Sequence, residues 1–196
     1  MSDREKILDE PGTAPFLVPR VRWVTQPWKN GRGVTHEVWR WTDREREHPG
    51  ASAFDLRVSV AEIDGPQPFS PFPGLDRVLV PLVDNALALE IGSVTRPMTK
   101  HHVFRFAGEV TATTKGEGRA SDLNVMWPRG REVRVELATK ETSVDTRALA
   151  VFALERTSLR DAHGIETTLE AHDLLVDALH ASVGYSADLP VVWIRF

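Results

Sequence analysis

The chain of 196 residues contains no cysteine. No disulfide framework and no thiolate metal site can form, and nothing calls for an oxidising compartment. Long apolar runs are also missing. No stretch reaches the roughly 18 residues that a bilayer span needs. The N-terminal "MSDREKILDEPGTAPFLVPR" is charged from the start and lacks the basic-then-apolar order of a signal peptide. These absences lead us to expect a cytoplasmic protein with no membrane partner. There is no long basic run either, and the formal net charge is −4. We therefore expect no nucleic-acid partner.

Two kinds of chemistry lack their residues. A metal-binding barrel needs two histidines one residue apart on a strand face, a nearby Glu and a later His. The candidates are His36, His101 and His102, with Glu37 and Glu109, but no His-x-His pair occurs anywhere. No nucleophile-elbow glycine pattern accompanies a Ser-His-Asp set, so a hydrolase is unsupported. The expectation is no metal, no cofactor and no catalytic set.

What is present is an ordinary globular composition, 41% hydrophobic and 27% charged. Short alternating runs recur between turn signals, among them "RVRWVTQ", "VTHEVWRW", "FDLRVSVAEI", "RVLVPLV", "REVRVEL" and "PVVWIRF". Many short strands with regular punctuation predict an all-β sandwich or barrel. Pro81 suggests an edge or a bulge for its run. In "FDLRVSVAEI", Phe54, Leu56, Val58 and Val60 fall on one face and Asp55, Arg57, Ser59 and Ala61 on the other, a half-buried strand. The segment "IETTLEAHDLLVDALHASVG" fits either a helix or a strand. The first dozen or so residues read as a frayed tail, and Thr42 to Ser52 as a solvated loop.

The stretch "PWKNGRGVTHEV" invites a phosphate-loop reading. Its Lys29 precedes the glycines, however, and a strand pattern follows where a helix is required. A different use suits these residues. Gly31 and Gly33 let the backbone bend, Trp28 offers a wall, Lys29 a positive charge, and Asn30 a donor and an acceptor. A plain turn remains the alternative. Further along, Arg57 and Ser59 share a strand face that could point into a cavity. An inward Arg needs an anion or a carboxylate partner. Phe69 and Phe72 sit in a proline-rich loop, a stiff aromatic lid leading to Asp76 and Arg77. Asp122, Asn124 and Met126 share one face of "SDLNVMW". Such polar residues are depleted from sheets unless they bond inside a pocket; a solvent-facing strand end is the alternative.

Taken in order, these segments resemble the HutD/Ves family. "PWKNGRGVTHEV" resembles its W-K-N-G-G-G-x-T-x-E segment, and "RVSVAEIDGPQPFSPFPGLDRVLVPL" its R-x-S-x-A…D-G-P-F-S-x-F-P-G-x-D-R stretch. "FRFAGE", "SDLNVMWPRG" and "AHDLLVDAL" match three further motifs, so the resemblance covers about Val21 to Phe196. It implies a bicupin, two small β-barrel halves packed as one domain over 21–196, behind a partly ordered tail at 1–20. It favours the strand for "DLLVDAL". It also implies a link to bacterial histidine utilisation, through binding of an intermediate such as urocanate or formylglutamate; a related branch is described as stress-induced. Carried over motif by motif, the ligand-binding candidates are Trp28, Lys29, Asn30, Arg57, Ser59, Phe69, Phe72, Arg77, Asp122, Asn124 and Met126. The chain departs from the pattern at Arg32, at His36 and at the inserted Gln67 and Pro68. The expected partner is a small carboxylate metabolite, with a homodimer left open. An enzyme using Asp122 or Glu37 as base, and a protein-binding module exposing Trp39, Trp41 or Trp127, stand as alternatives.

Overall fold

The structure, a computed structural model, describes residues 15–42, 54–138, 150–161, 164–177, 186–187 and 190–195. Within them the only helical element is one 3-10 turn, Arg20–Arg22, and the rest is strand and turn. The all-β expectation holds. The tail up to residue 14, the loop from Asp43 to Ser52 and the stretch "KETSVDTRA" lie outside the described residues.

The chain divides into two compact units, residues 1–23 with 131–196, and residues 24–130. Strand β1 (Phe16–Val18) belongs to the first. The second unit contains β2 (Val24–Pro27), β3 (Gly33–Trp41), β4 (Leu56–Asp64), β5 (Leu75–Pro81), β6 (Ala88–Ile91), β7 (Val94–Pro97), β8 (Phe104–Ala107), β9 (Ala112–Lys115) and β10 (Arg119–Pro128). The chain then completes the first unit with β11 (Arg134–Ala138), β12 (Ala150–Ala153), β13 (Thr157–Arg160), β14 (Glu166–Leu169), β15 (Leu174–Val176), β16 (Ser186–Ala187) and β17 (Val191–Arg195).

In the first unit a five-stranded sheet runs β1-β15-β12-β17-β11, and a second, smaller one runs β14-β13-β16. A cluster including Val151, Leu159, Leu169, Val191 and Trp193 forms its core. In "AHDLLVDAL" the segment Leu174–Val176 is a strand, flanked by β1 and β12. The Leu spacing imitates a helix, but three successive buried residues suit a strand covered on both faces.

The second unit has the same plan. A six-stranded antiparallel sheet runs β2-β3-β4-β10-β5-β8, and a three-stranded sheet runs β7-β6-β9. They share a core of Ile63, Leu79, Leu87, Leu89, Met98, Phe104 and neighbours.

Three local expectations are corrected here. Val21 is 89% exposed in the 3-10 turn, so "RVRWVTQ" is not one strand. Pro81 ends β5, an interior strand, where its missing N–H interrupts nothing beyond it. Strand β4 is not half-buried, because Val58, Ser59, Val60 and Ala61 are all buried. His101, with a φ of 64°, lies in a left-handed turn before β8.

Candidate functional site

The six-stranded sheet aligns the polar residues by register. Residues paired across antiparallel strands face the same side. Met126 on β10 pairs with Arg57 on β4 and with Arg77 on β5. Arg57 pairs onward with Arg40, and Arg77 with Phe106. One rung therefore crosses five strands, with two arginines flanking a methionine. They stand two strand spacings apart, about 10 Å backbone to backbone. The next rung is Ser59, Asn124, Leu79, and the one after is Ala61, Asp122, Pro81.

A bulge sets one end of the first rung. Pairing of β3 with β4 shifts between Glu37 and Trp39. The extra residue, Val38, turns Trp39 to the opposite face and brings Arg40 beside Arg57. Simple alternation along "VTHEVWRW" would have placed Trp39 with Glu37. Trp39 is instead 2% exposed on the other side of the sheet.

These side chains enclose a cavity of about 470 Å3 in the second unit. Of the eleven candidates, ten line it: Trp28, Lys29, Asn30, Arg57, Ser59, Phe69, Phe72, Arg77, Asn124 and Met126. Asp122 does not reach the lining. It is wholly buried behind Asn124. The solvent-facing alternative for "SDLNVMW" is overturned, since Asp122, Asn124 and Met126 are all at most 3% exposed.

Each wall has its own support. The Trp28 indole N–H donates to Thr35 Oγ1 at 2.8 Å, and its ring meets Phe69 edge-on at 6.4 Å. Gly33 is needed here: a Cβ on it would lie 2.8 Å from the Trp28 ring and 2.7 Å from the Glu62 carbonyl oxygen. The proline-rich loop is tied down rather than loose. Phe69 N–H donates to the Ala112 carbonyl at 2.9 Å, and Phe72 N–H to that of Gly108 at 2.8 Å. Gln67, an insertion relative to the family pattern, is 4% exposed and fastens the loops together. It accepts from Asn30 Nδ2 at 3.0 Å and donates to the Arg32 carbonyl. Asn30 Oδ1 in turn accepts from Arg32 N–H at 3.0 Å. Both ends of the Asn30 amide thus hold the loop in shape. The Arg32 side chain is not part of this cavity; its guanidinium lies over Gly65.

The charges are arranged unequally. Arg57 Nε donates to Glu37 Oε2 at 2.7 Å, and Arg40 donates to the same oxygen at 2.8 Å. Burial alone would raise the Glu37 carboxyl, but these two guanidiniums outweigh it and hold the pKa below the ordinary value. With Nε so engaged, the terminal nitrogens of Arg57 have no partner among the described residues and are available to a ligand. Arg77 is 4% exposed. Its Nε donates to Asn124 Oδ1 at 2.8 Å, and Nη2 donates to the same oxygen. Phe69, Phe106 and Phe72 surround its guanidinium carbon at 4.7, 5.2 and 5.9 Å from their ring centres. Burial lowers its pKa to about 10, which leaves it charged at neutral pH. Asn124 Nδ2 then donates to Asp122 Oδ1. Burial pushes the Asp122 carboxyl up to about 7, against the pull of Arg77. Its other oxygen, Oδ2, is buried and, among the described residues, has no hydrogen-bond partner.

Glu37, which the sequence offers as a metal candidate or a general base, instead supports the site by binding Arg57. A hint was its place in the T-x-E of the first motif, one strand from Arg57. Among the described residues no group of three or more His, Asp or Glu is placed to hold a metal ion.

Comparison with known proteins bears on this arrangement. A model of the protein family described as HutD matches residues 21–188. Over 132 residues the chain is 35% identical to Protein Ves of Citrobacter koseri, covering 65% of this chain and 66% of that one. It is 33% identical over 103 residues to an uncharacterized protein in the hutC 3' region of Pseudomonas putida, covering 52% of each. The chain thus spans about two thirds and about half of the length of these relatives. The solved structure of HutD from Pseudomonas fluorescens superposes with a TM-score of 0.77 at 23% identity, over 93% of this chain and 97% of that one. At that identity the likeness speaks for the fold.

Proposed function

The chain belongs to the HutD family, and from that premise we propose that it is a non-catalytic binder of a small carboxylate. The observation that carries this reading is Arg77. A charged guanidinium is buried at the cavity wall, and among the described residues its hydrogen-bond partner is a neutral amide. A buried charge without a directly paired counter-ion is costly. An anionic ligand at the cavity would supply that counter-ion.

The remaining groups suit the same ligand. Among the described residues Arg57 bonds through Nε alone, and Lys29 lies at the exposed rim. Trp28, Phe69 and Phe72 supply apolar walls for a flat or aliphatic part. About 470 Å3 accommodates a small metabolite. The family's name and relatives connect it with histidine utilisation, so we take urocanate or a formylglutamate-like intermediate as the ligand. Binding it would let the protein sense and modulate that pathway. On the same reading the two units are the halves of a bicupin, each pairing a larger antiparallel sheet with a smaller one.

The alternatives have less support. Glu37 is a poor general base, because both Arg40 and Arg57 bind its carboxylate. Asp122 does not line the cavity. For a protein-docking face, Trp39 and Trp127 are buried at 2% and 7% exposure, and Trp41 is only half-buried. The test is a thermal-shift screen against histidine, urocanate, formiminoglutamate, formylglutamate and glutamate. A ligand at ~100 times its Kd adds about 2.7 kcal/mol of stability. A shift with urocanate or formylglutamate, weakened by Lys29→Ala, is the expected result. No shift with any would detach the protein from this ligand class.

A further inference from the structure

The buried chain Arg77–Asn124–Asp122 has a feature that simple anion binding does not require. Asn124 uses its carbonyl oxygen on the arginine and its amino group on the aspartate. The amide therefore couples the two charges without letting them touch. Asp122 is wholly buried, and among the described residues its Oδ2 has no hydrogen-bond partner. An ionised carboxylate with an empty oxygen in an apolar surround is poorly solvated, whereas a protonated one asks less of its environment.

We infer that the cavity takes up its anion together with a proton, with Asp122 as a positioning residue that acts on Arg77 through Asn124. When Asp122 is ionised, its charge is the nearest compensation for Arg77. When it is protonated, Arg77 lacks that compensation and turns to the ligand. Ligand and Asp122 carboxylate are thus alternative counter-ions of one guanidinium. This inference rests on the anion-binding reading above and adds its proton stoichiometry. The raised pKa of Asp122, about 7, places the exchange near neutral pH.

Among the described residues, the other charged groups around Asp122 are these. Arg77 approaches from β5, and Arg57 stands on β4 two rungs away. Beyond it on β3 lie Glu37, held ionised by its two arginines, and Arg40. Lys29 lies across the cavity on the loop before β3. The turn before β8 brings Lys100 and His101 beside Pro81, the residue opposite Asp122, through the His101 N–H to Pro81 carbonyl bond at 2.8 Å. His101 is the competing titratable group.

The experiment is calorimetric titration of the whole chain with N-formylglutamate from pH 6 to pH 8, in two buffers of different ionisation enthalpy. Both carboxylates of this probe stay ionised across that range. Kd should rise about ten-fold from pH 6 to pH 8, with uptake of up to one proton on binding. Asp122→Asn should bind with a flat pH profile and no proton uptake, while His101→Gln should behave as the wild type. If Asp122→Asn fails to fold, the wild-type profile, the proton count and His101→Gln decide alone. Binding that is flat in pH, or a dependence that disappears in His101→Gln, overturns the inference and leaves the anion-binding reading standing. No binding at any pH removes both.

Discussion

Lys29 and Arg57 both line the cavity, yet their removal should read differently. Lys29 is exposed, and among the described residues it pairs with no carboxylate. Lys29→Ala should weaken carboxylate binding and move unfolding stability by no more than ~0.5 kcal/mol. Arg57 also holds Glu37 at 2.7 Å. Arg57→Ala should weaken binding and cost about 1–3 kcal/mol in urea unfolding, because a half-satisfied buried carboxylate is left behind. Equal stability for the two variants would remove Glu37 from the account. The pH dependence of stability carries two opposed signatures. Glu37 has a lowered pKa in the fold, so its contribution is present above its ordinary value of 4.5 and is lost as pH falls. Asp122 has a raised pKa, so between 3.8 and about 7 the folded chain binds the extra proton. Its effect on stability therefore worsens as pH rises through that window. Urea unfolding from pH 4 to pH 8 should show a slope that Asp122→Asn flattens.

At the scale of elements, two glycines carry more than turn geometry. Gly33→Ala would push its Cβ against Trp28 and the Glu62 backbone. It should cost roughly 1–3 kcal/mol and displace the tryptophan wall. Gly108→Ala would meet the Phe72 carbonyl oxygen at 2.3 Å and detach the aromatic loop from its anchor. Loss of ligand affinity with quenched or shifted tryptophan fluorescence would identify the first; unaltered binding would mean that Trp28 is not a wall. These elements also show what the sequence could convey. Strands such as β4 and β10 were legible because their alternation is strict, and that alternation put Arg57 with Ser59 and Asp122 with Asn124. Their burial was not legible, since period two distinguishes the faces of a strand without saying what covers each. The bulge at Val38 was invisible for a related reason. One unpaired residue leaves no mark on a pattern of apolar and polar letters, yet it exchanges Trp39 for Arg40 beside Arg57. Gln67 looked like an insertion because its partners, Asn30 and the Arg32 carbonyl, are more than thirty residues away.

For the whole molecule, the site is contained in the second unit, residues 24–130. Among the described residues, every lining side chain belongs to that unit. The first unit repeats the plan of a larger and a smaller sheet with an apolar interior. Charge also belongs to this scale. The chain as a whole carries −4, so the attraction for an anion is local to the cavity. Affinity should then depend modestly on salt, since Arg77 and Arg57 are shielded and only the rim Lys29 is screened. A carboxylate should bind between Arg57 and Arg77. The most direct measurement is a crystal structure of the chain soaked with whichever of urocanate or formylglutamate gives the larger thermal shift. Carboxylate oxygens should lie within hydrogen-bond reach, ~3 Å, of the terminal nitrogens of both arginines, with Trp28 or Phe69 against the rest of the ligand. Ligand density elsewhere, such as beside Arg32 and Arg119, with the two arginines left as they are, would contradict it.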